Sequence, residues 1–205
     1  MKDEIGTSGY VLYRDAEDEP LLTGYSAELQ YGKFSSSTRQ ELLAQLCIEY
    51  WMEHLYSIWG PPKHQITLEV VTDSQASLII MENMKNIVGM NDVLRPDVDV
   101  AMEVARIRKK NAQYCTLELI KVKSHIDKEE PPKEIYWQVN YEADELATFA
   151  RNQVNDGRIS AYHPQVLPGS AAVVSIDGQL CLTEIKQKIY TRIYQLELEE
   201  FLMRI

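Results

Sequence analysis

The hydrophobic and polar positions along the chain predict strands and helices in alternation. A short apolar run with two tyrosines predicts a strand over residues 9–13. An acidic turn separates it from a second predicted strand over residues 21–29, so the pair reads as a hairpin. Runs rich in β-branched residues predict two further strands, over residues 66–72 and 115–121. We expect the strand over 66–72, which is rich in β-branched residues, to be central in its sheet.

Apolar residues that recur at three- and four-residue steps predict the helices. The longest begins at Thr38 and stops at Gly60, where a Gly-Pro-Pro sequence follows. Further helices are predicted over residues 75–84, 97–111 and 139–152. Because strands and helices alternate, the chain is predicted to form a layered α/β domain.

The composition changes after the Asn-Asp-Gly sequence at residues 155–157. An Asp-Gly pair inside an apolar run predicts a hairpin over residues 173–182, and a final amphipathic helix follows from Ile185. We therefore divide the chain into a domain over residues 1–152 and a C-terminal extension over residues 153–205. Two interpretations of the extension stay open: its apolar helix face packs on its own domain, or it forms an interface with another chain or with an upstream domain.

Charge narrows the classes of partner. The 205 residues include 31 acidic and 21 basic side chains, which gives a net charge of −10, and 45% of the residues are hydrophobic. Such a chain can bury a core, so wholesale disorder is excluded. The negative charge argues against binding of nucleic acid by overall attraction, although a local basic face stays open.

The cysteines and the N-terminal residues indicate in which cellular compartment the protein is expected. Cys47, Cys115 and Cys181 lie far apart, and no Cys-x-x-Cys pair occurs, which argues against a zinc site of the usual spacing. A sparse, odd number of cysteines fits a reducing compartment. The first residues lack the apolar segment of a signal peptide, and no apolar run approaches the length of a membrane span. We expect an intracellular protein with no membrane partner, in either the cytoplasm or the nucleus.

Four residues with acid–base or metal-binding chemistry lie at informative places. Asp73 directly follows a predicted strand, at the carboxyl end where α/β sheets carry their sites. Glu41 lies in the first turn of the long helix, Asp144 lies within the helix over 139–152, and His125 follows a strand.

Each of the four also has a structural interpretation. Thr38 and Glu41 match a Thr-x-x-Glu capping box, and Asp73 can cap the helix that follows it. Asp144 can lie on a solvated helix face, and His125 can be an ordinary loop residue. Their order and surroundings, taken together, favour a functional interpretation.

Four motifs form an ordered set over roughly residues 1–151. They are Gly-Thr-Ser-Gly-Tyr-Val-Leu-Tyr from Gly6, Arg-Gln-Glu-Leu-Leu-Ala from Arg39, Thr-Asp-Ser-Gln from Thr72, and Val-Lys-Ser-His from Val122 with Asn-x-x-Ala-Asp-Glu-Leu-Ala from Asn140. This set resembles the type 1 ribonuclease H family, including the domain attached to retroelement reverse transcriptases. The resemblance implies a ribonuclease H-like fold, in which helices flank a mixed central sheet.

The resemblance also implies an activity. Proteins of this family hydrolyse the RNA strand of RNA–DNA hybrids with two metal ions. By that resemblance Glu41, Asp73 and Asp144 would hold two Mg²⁺ ions, with Mn²⁺ as an alternative, since Mg²⁺ prefers oxygen ligands. His125 would assist proton transfer or product release. The implied partners are an RNA–DNA hybrid and an upstream reverse transcriptase domain.

The family's first catalytic aspartate has no counterpart. Counting back from Tyr10 puts its position just before Met1, and Asp3 and Glu4 lie too close to Gly6 to replace it. In the family, the strand that carries this aspartate is the central strand of the sheet. We therefore expect a domain without its first strand, either as part of a longer polyprotein or as an inactive relic.

A local basic stretch provides candidate contacts for nucleic acid. Between residues 104 and 125 lie six basic residues and one acidic residue. The alternative is a solvated helix end, where the helix dipole favours basic side chains. The N-terminus of the Glu41 helix can also take a phosphate. The candidate nucleic-acid contacts are Ser37, Arg39, Arg106, Arg108, Lys109, Lys110 and Asn140.

Three other functions compete with catalysis of hybrid cleavage. One is a catalytically inactive ribonuclease H-like module that binds nucleic acid or connects domains. Another is a different nuclease on the same fold, because fold does not determine function. The Asn-x-x-Ala-Asp-Glu-Leu-Ala helix favours ribonuclease H over that second alternative. The third is a non-nuclease α/β binding protein, in which the ordered acids would be coincidental.

Overall fold

A computed structural model describes residues 4–14, 19–30, 37–83, 96–123, 134–163, 167–168, 174–176, 179–181 and 185–203. These residues form six strands and five helices in a mixed α/β arrangement, as the alternating pattern predicts. None of the described helices combines the length and the apolar character needed to cross a membrane.

The N-terminal hairpin consists of β1 (Glu4–Leu12) and β2 (Leu22–Gln30), paired antiparallel over nine residues each. The hairpin was expected, but the predicted start of its first strand at residue 9 is wrong. Residues 6–8 are small and show no apolar alternation, and they become strand because each pairs with a residue of β2. Pairing with β2 therefore determines the structure of residues 6–8, whose own preference for strand structure is weak.

The next three elements follow the sequence pattern closely. Helix α1 (Ser37–Trp59) ends at Gly60, whose φ of 76° is the left-handed conformation that terminates many helices. The Gly60 N–H donates to the carbonyl oxygen of Tyr56 at 2.9 Å. Strand β3 (Ile66–Thr72) has the predicted bounds, and helix α2 (Gln75–Asn83) begins where predicted, while the predicted last residue, 84, lies outside the described residues.

The second half of the domain contains α3 (Val98–Asn111), β4 (Cys115–Lys121) and α4 (Ile135–Asn155). Strand β4 runs parallel to β3, with Ile66 opposite Cys115. The predicted start of α4 at residue 139 is wrong, because the helix begins four residues earlier. The extra turn is rich in aromatic residues, which have modest helix propensity and gave no clear helical signal.

In the extension, β5 (Val174–Ile176) and β6 (Gln179–Cys181) form the predicted antiparallel hairpin, and α5 (Ile185–Met203) is the predicted final helix. Ile185 is buried, whereas Tyr190 is 73% exposed and Met203 is 82% exposed. Most of the apolar side chains of α5 therefore do not pack on the described part of the domain. This observation favours the interface interpretation of the extension.

The first part of the extension, after α4, returns to the N-terminal hairpin. The Tyr162 N–H donates to the carbonyl oxygen of Ala27 at 2.9 Å, and the Leu29 N–H donates to the carbonyl oxygen of Tyr162 at 2.8 Å. These bonds occupy the outer edge of β2. The predicted domain boundary after residue 152 thus precedes a segment that still contacts the first domain.

The strands do not form one sheet. Within the described residues they form three two-stranded sheets, β1–β2, β3–β4 and β5–β6. The expectation of a single mixed central sheet is therefore not met, and β3 is not central, because no described strand joins β1 to β3. A cleft separates these two strands.

Helix α1 is the centre of the core. One face packs on α2 and α3 through a buried cluster that includes Leu42, Leu46, Val104 and Ile107. Further along, Met52 packs on Leu68 and Val70 of β3. Burial of these apolar side chains holds α1 against α2 and α3 and against β3.

Helix α4 crosses β1 at backbone contact. A Cβ atom at Gly9 would lie 2.1 Å from the carbonyl oxygen of Ala143 and 2.8 Å from the Cβ of Leu146. No side chain fits in that space, so glycine allows the helix to lie directly on the strand. This contact positions α4 along one wall of the cleft.

Candidate active site

The cleft between β1 and β3 has a volume of about 930 Å³ and is walled by α1 and α4. Four residues singled out from the sequence line it, namely Glu41 and Ser37 from α1, and Asp144 and Asn140 from α4. Asn140 and Asp144 are four residues apart, which puts them on the same face of their helix. The fold therefore brings together two of the predicted catalytic carboxylates and two of the predicted nucleic-acid contacts.

Thr72 links the end of β3 to Glu41. Its Oγ1 donates a hydrogen bond to Glu41 Oε2 at 3.0 Å. The same oxygen accepts a hydrogen bond from the backbone N–H of Ser74 at 3.1 Å. Thr72 is almost fully buried, so this hydroxyl holds the Glu41 carboxylate in one place.

The electrostatic environment shows that Glu41 lies near two further carboxylates. The pKa of Glu41 is raised from 4.5 to about 7, mainly by burial, while the hydrogen bond from Thr72 works in the opposite direction. The negative charges of Asp73 and Asp144 contribute to the rise. Two of the predicted carboxylates, from α4 and from the turn after β3, thus act on the third, in α1.

Two of the structural interpretations of these acids do not hold. Ser74, and not Asp73, caps α2, because Ser74 Oγ accepts the backbone N–H of Ser77 at 3.2 Å. Helix α1 begins at Ser37, so Thr38 lies inside its first turn and is not the N-cap of a box with Glu41. Asp144 is exposed, as expected of a solvated helix face. It nevertheless acts electrostatically on Glu41 across the cleft.

The donor set fits a divalent cation in its chemistry. Carboxylates that repel one another in a partly buried place are stabilised by a positive ion between them. Within the described residues, no group of three or more His, Cys, Asp and Glu side chains is close enough to hold one ion.

Arg39 occupies a different place from the one expected of a nucleic-acid contact. It is 2% exposed, and its guanidinium donates to both carboxylate oxygens of Glu28 at 2.7 and 3.1 Å. It also donates to Asp99 at 2.9 and 3.1 Å. Assignment of Arg39 as a nucleic-acid contact is therefore corrected: it ties β2, α1 and α3 together inside the protein.

The basic residues of α3 lie away from the cleft, and α3 contributes no residue to its lining. Arg108 Nε donates to Glu49 Oε1 at 2.8 Å, and Lys110 Nζ donates to Glu53 Oε1 at 2.8 Å, so both side chains bind α1. Arg106 pairs with Glu103 on its own helix. Lys109 is exposed on the same turn. Helix-to-helix ion pairs thus explain much of the basic stretch.

His125 lies outside the described residues, and its predicted role stays a prediction. Several residues that line the cleft were not singled out from the sequence, including Thr72, Gln40, Gln45 and Arg151. The Thr-Asp-Ser-Gln motif was the available signal for Thr72. The glutamines carry no signal of their own, because any polar residue on a long helix is ordinarily solvated.

Comparison of the sequence with models of known protein families gives no match, and comparison with curated proteins gives none either.

Proposed function

We propose that this protein is a ribonuclease H-like hydrolase that cleaves the RNA strand of RNA–DNA hybrids. The observation that carries the proposal is that Glu41 and Asp144 line the same cleft and that the charges of Asp73 and Asp144 both act on Glu41. These are the acids that the motif set assigns to metal binding. Their positions on α1, after β3 and on α4 are the ones that the resemblance requires.

The arrangement of the strands supports the same family. The resemblance predicts that the central strand of the sheet is missing from residues 1–152. The described strands leave a gap between β1 and β3, where a central strand would join the two sheets. A ribonuclease H-like fold accounts for this gap, and for the helix pair α1 and α4 on its two sides.

Different residues of the chain would bind the metal ions, position Glu41 and orient the substrate in the proposed reaction. Glu41, Asp73 and Asp144 would hold two divalent ions, which would activate a water and stabilise the leaving oxygen. Thr72 holds the Glu41 carboxylate at the end of β3 through its 3.0 Å hydrogen bond. Ser37 and Asn140, on either side of these acids, would orient the phosphate backbone of the substrate.

A second candidate is an inactive ribonuclease H-like module that binds nucleic acid or connects domains. It is favoured by the motif set, in which no residue of this sequence matches the family's first catalytic aspartate. The two candidates differ in chemistry and not in fold. Cleavage of a hybrid therefore separates them.

The test is cleavage of an end-labelled RNA–DNA hybrid by the purified 205-residue chain with Mg²⁺. We expect cleavage by the wild type, and none by Glu41→Gln, Asp73→Asn or Asp144→Asn. Glu82→Gln is the matched control, because Glu82 is exposed on α2 and outside the cleft. Circular dichroism checks that each variant is folded. Normal cleavage by the three variants would overturn the site, and no cleavage by folded wild type would favour the inactive module.

A further inference from the structure

Helix α5 carries an exposed apolar stripe on the side opposite to the one that packs. Tyr190, Tyr194 and Leu198 are four residues apart, so they lie on one side of the helix, and they are 73%, 67% and 46% exposed. Ile185 and Ile189 lie on the other side of the helix, where Ile185 is buried and Ile189 is half-buried. We call the three exposed residues the α5 stripe. No described residue of the chain covers it.

The charges of α5 are divided between its two halves. Residues 185–194 contain no acidic residue and three basic ones, namely Lys186, Lys188 and Arg192. Residues 195–203 contain no basic residue and three acidic ones, namely Glu197, Glu199 and Glu200. This order within the helix is opposite to the one that the helix dipole favours, because the N-terminal end of a helix is electropositive. A partner that brings acids to the first half and bases to the second half would relieve this mismatch.

Both patterns are symmetric about Tyr194. Residue 194 is the midpoint of the helix, and the α5 stripe extends four residues to either side of it. The sign of the charge changes between Arg192 and Glu197, on either side of the same point. A second copy of α5 that runs in the opposite direction therefore places an acidic half beside each basic half. A parallel pair would place like charges side by side.

One flank of the α5 stripe shows the same complementarity in single residues. Lys186 and Glu197 are both exposed, and about three helical turns separate them, so they lie on the same flank. In an antiparallel pair related by a two-fold axis, each flank meets the same flank of the second copy. With the axis at Tyr194, Lys186 lies about 7.5 Å along the helix from Glu197 of the second copy. Long side chains span such a distance, so each pair of helices has two of these attractive contacts.

The length of α5 determines how strong such a pair can be. A contact strip about 28 Å long and about 10 Å wide on each copy gives roughly 600 Å² in total, which is less than a standard stable interface buries. We therefore expect a reversible dimer with a dissociation constant on the order of 10–100 µM.

We propose that α5 binds a second copy of this chain, as an antiparallel helix pair with two-fold symmetry about Tyr194. The Tyr194 rings of the two copies meet, and Tyr190 of each copy packs beside Leu198 of the other. Tyrosine suits such a surface, because its ring is apolar and its hydroxyl can remain in water. The proposal does not rest on the proposed nuclease activity, since α5 contributes no residue to the lining of the cleft.

The first test is sedimentation velocity of the full chain at low salt, from about 1 to about 300 µM, a range that spans the expected dissociation constant. We expect a reversible dimer, and Tyr194→Ala should weaken it about tenfold. Ile79→Ala is the matched control, because Ile79 is 47% exposed on α2, and it should leave the dimer unchanged. A monomer at every concentration would mean that the α5 stripe serves another partner, and it would overturn the proposal. A dimer that Tyr194→Ala leaves intact would also overturn it.

A charge exchange tests whether α5 pairs with itself. Lys186→Glu and Glu197→Lys should each weaken the dimer about fivefold, because both contacts become repulsive. An equimolar mixture of the two variants should associate as well as the wild type, since opposite charges meet again at both contacts. Failure of the mixture to recover association would contradict the proposed pairing. Cleavage activity does not enter this measurement, so its outcome is independent of the proposed function.

Oxidative cross-linking tests the direction of the helices. Tyr194→Cys should form a covalent dimer, because the two-fold axis brings both copies of this position together. Gln187→Cys is the matched control, since Gln187 is exposed on the same side of α5 two turns earlier. The two copies of position 187 lie about 21 Å apart along an antiparallel pair, so they should not cross-link. The wild type shows the background from the native cysteines. Equal cross-linking at both positions would indicate a parallel pair and overturn the proposal.

Discussion

The Thr72 hydroxyl donates a hydrogen bond to the Glu41 carboxylate at 3.0 Å and so joins the last residue of β3 to the first turns of α1. The hydroxyl also accepts the backbone N–H of Ser74, at the point where the chain enters α2. One buried side chain therefore positions a carboxylate and the start of a helix together.

Replacement of Thr72 by valine should destabilise the protein by about 1–2 kcal/mol, because the Ser74 N–H and the Glu41 carboxylate both lose a partner. The pKa of Glu41 should rise further, since the hydrogen bond from Thr72 lowers it. Urea denaturation measures the first effect, and NMR titration of the carboxyl measures the second. Thr67→Val, at an exposed position of the same strand, is the control and should be near neutral. An unchanged pKa in Thr72→Val would mean that this hydrogen bond does not form in solution.

Glu41 should make the stability depend on pH. Its pKa is raised from 4.5 to about 7 in the folded protein, so its protonated form stabilises the fold below about pH 4.5. That stabilisation is lost as the pH rises through 7, at a cost of at most about 3 kcal/mol. Glu41→Gln has no such charge, so it should become more stable than the wild type across this window and keep a constant advantage above it. Denaturation from pH 4 to pH 8 checks this, with Glu82→Gln as control, and a difference that does not vary with pH would contradict it.

Gly9→Ala should be strongly destabilising, by about 3 kcal/mol, because the added methyl group would lie 2.1 Å from a backbone oxygen of α4. Gly24→Ala is the matched substitution in the partner strand. There the methyl group meets the ring of Tyr10, which is a side chain that can move. Thermal unfolding should therefore give a clearly larger loss for position 9. Equal losses would show that α4 does not rest on β1.

Arg39→Met should destabilise the protein by about 3–5 kcal/mol, because it keeps an apolar stem but leaves Glu28 and Asp99 buried without their cation. Lys109→Met should change the stability by less than about 0.5 kcal/mol, because Lys109 is exposed. Denaturant unfolding at neutral pH compares the two. A small effect at Arg39 would return it to the group of candidate nucleic-acid contacts.

The elements with strong periodicity were predictable. Helix α1 and strand β3 have regular apolar patterns and clear boundaries, such as Gly60 and the residue after Thr72. The start of β1 was not predictable, because residues 6–8 become strand through pairing with β2 and not through their own preference. The hydrophobic pattern of a segment reflects only the secondary-structure preference of its own residues. It carries no information about the strand with which the segment pairs.

The acids of the candidate site could be proposed from the sequence because each belongs to a short motif. The roles of the basic residues could not be predicted from the sequence. Arg108 and Lys110 form a cluster of charge in the sequence, but their partners, Glu49 and Glu53, lie more than fifty residues away. The same holds for Arg39, because the two carboxylates that pair with it lie in β2 and in α3. Pairing over such distances depends on the packing of α1 against α3.

The contact between α4 and Gly9 has a consequence for tracing the ancestry of this fold. Where a helix rests on a strand with room for nothing larger than a hydrogen atom, every other amino acid is excluded. A distant relative that keeps this crossing must carry glycine at the equivalent position, however far the rest of its sequence has diverged. Glycine at position 9, followed at a long interval by a helix that presents alanine at 143 and 147, is therefore a marker by which such relatives can be aligned.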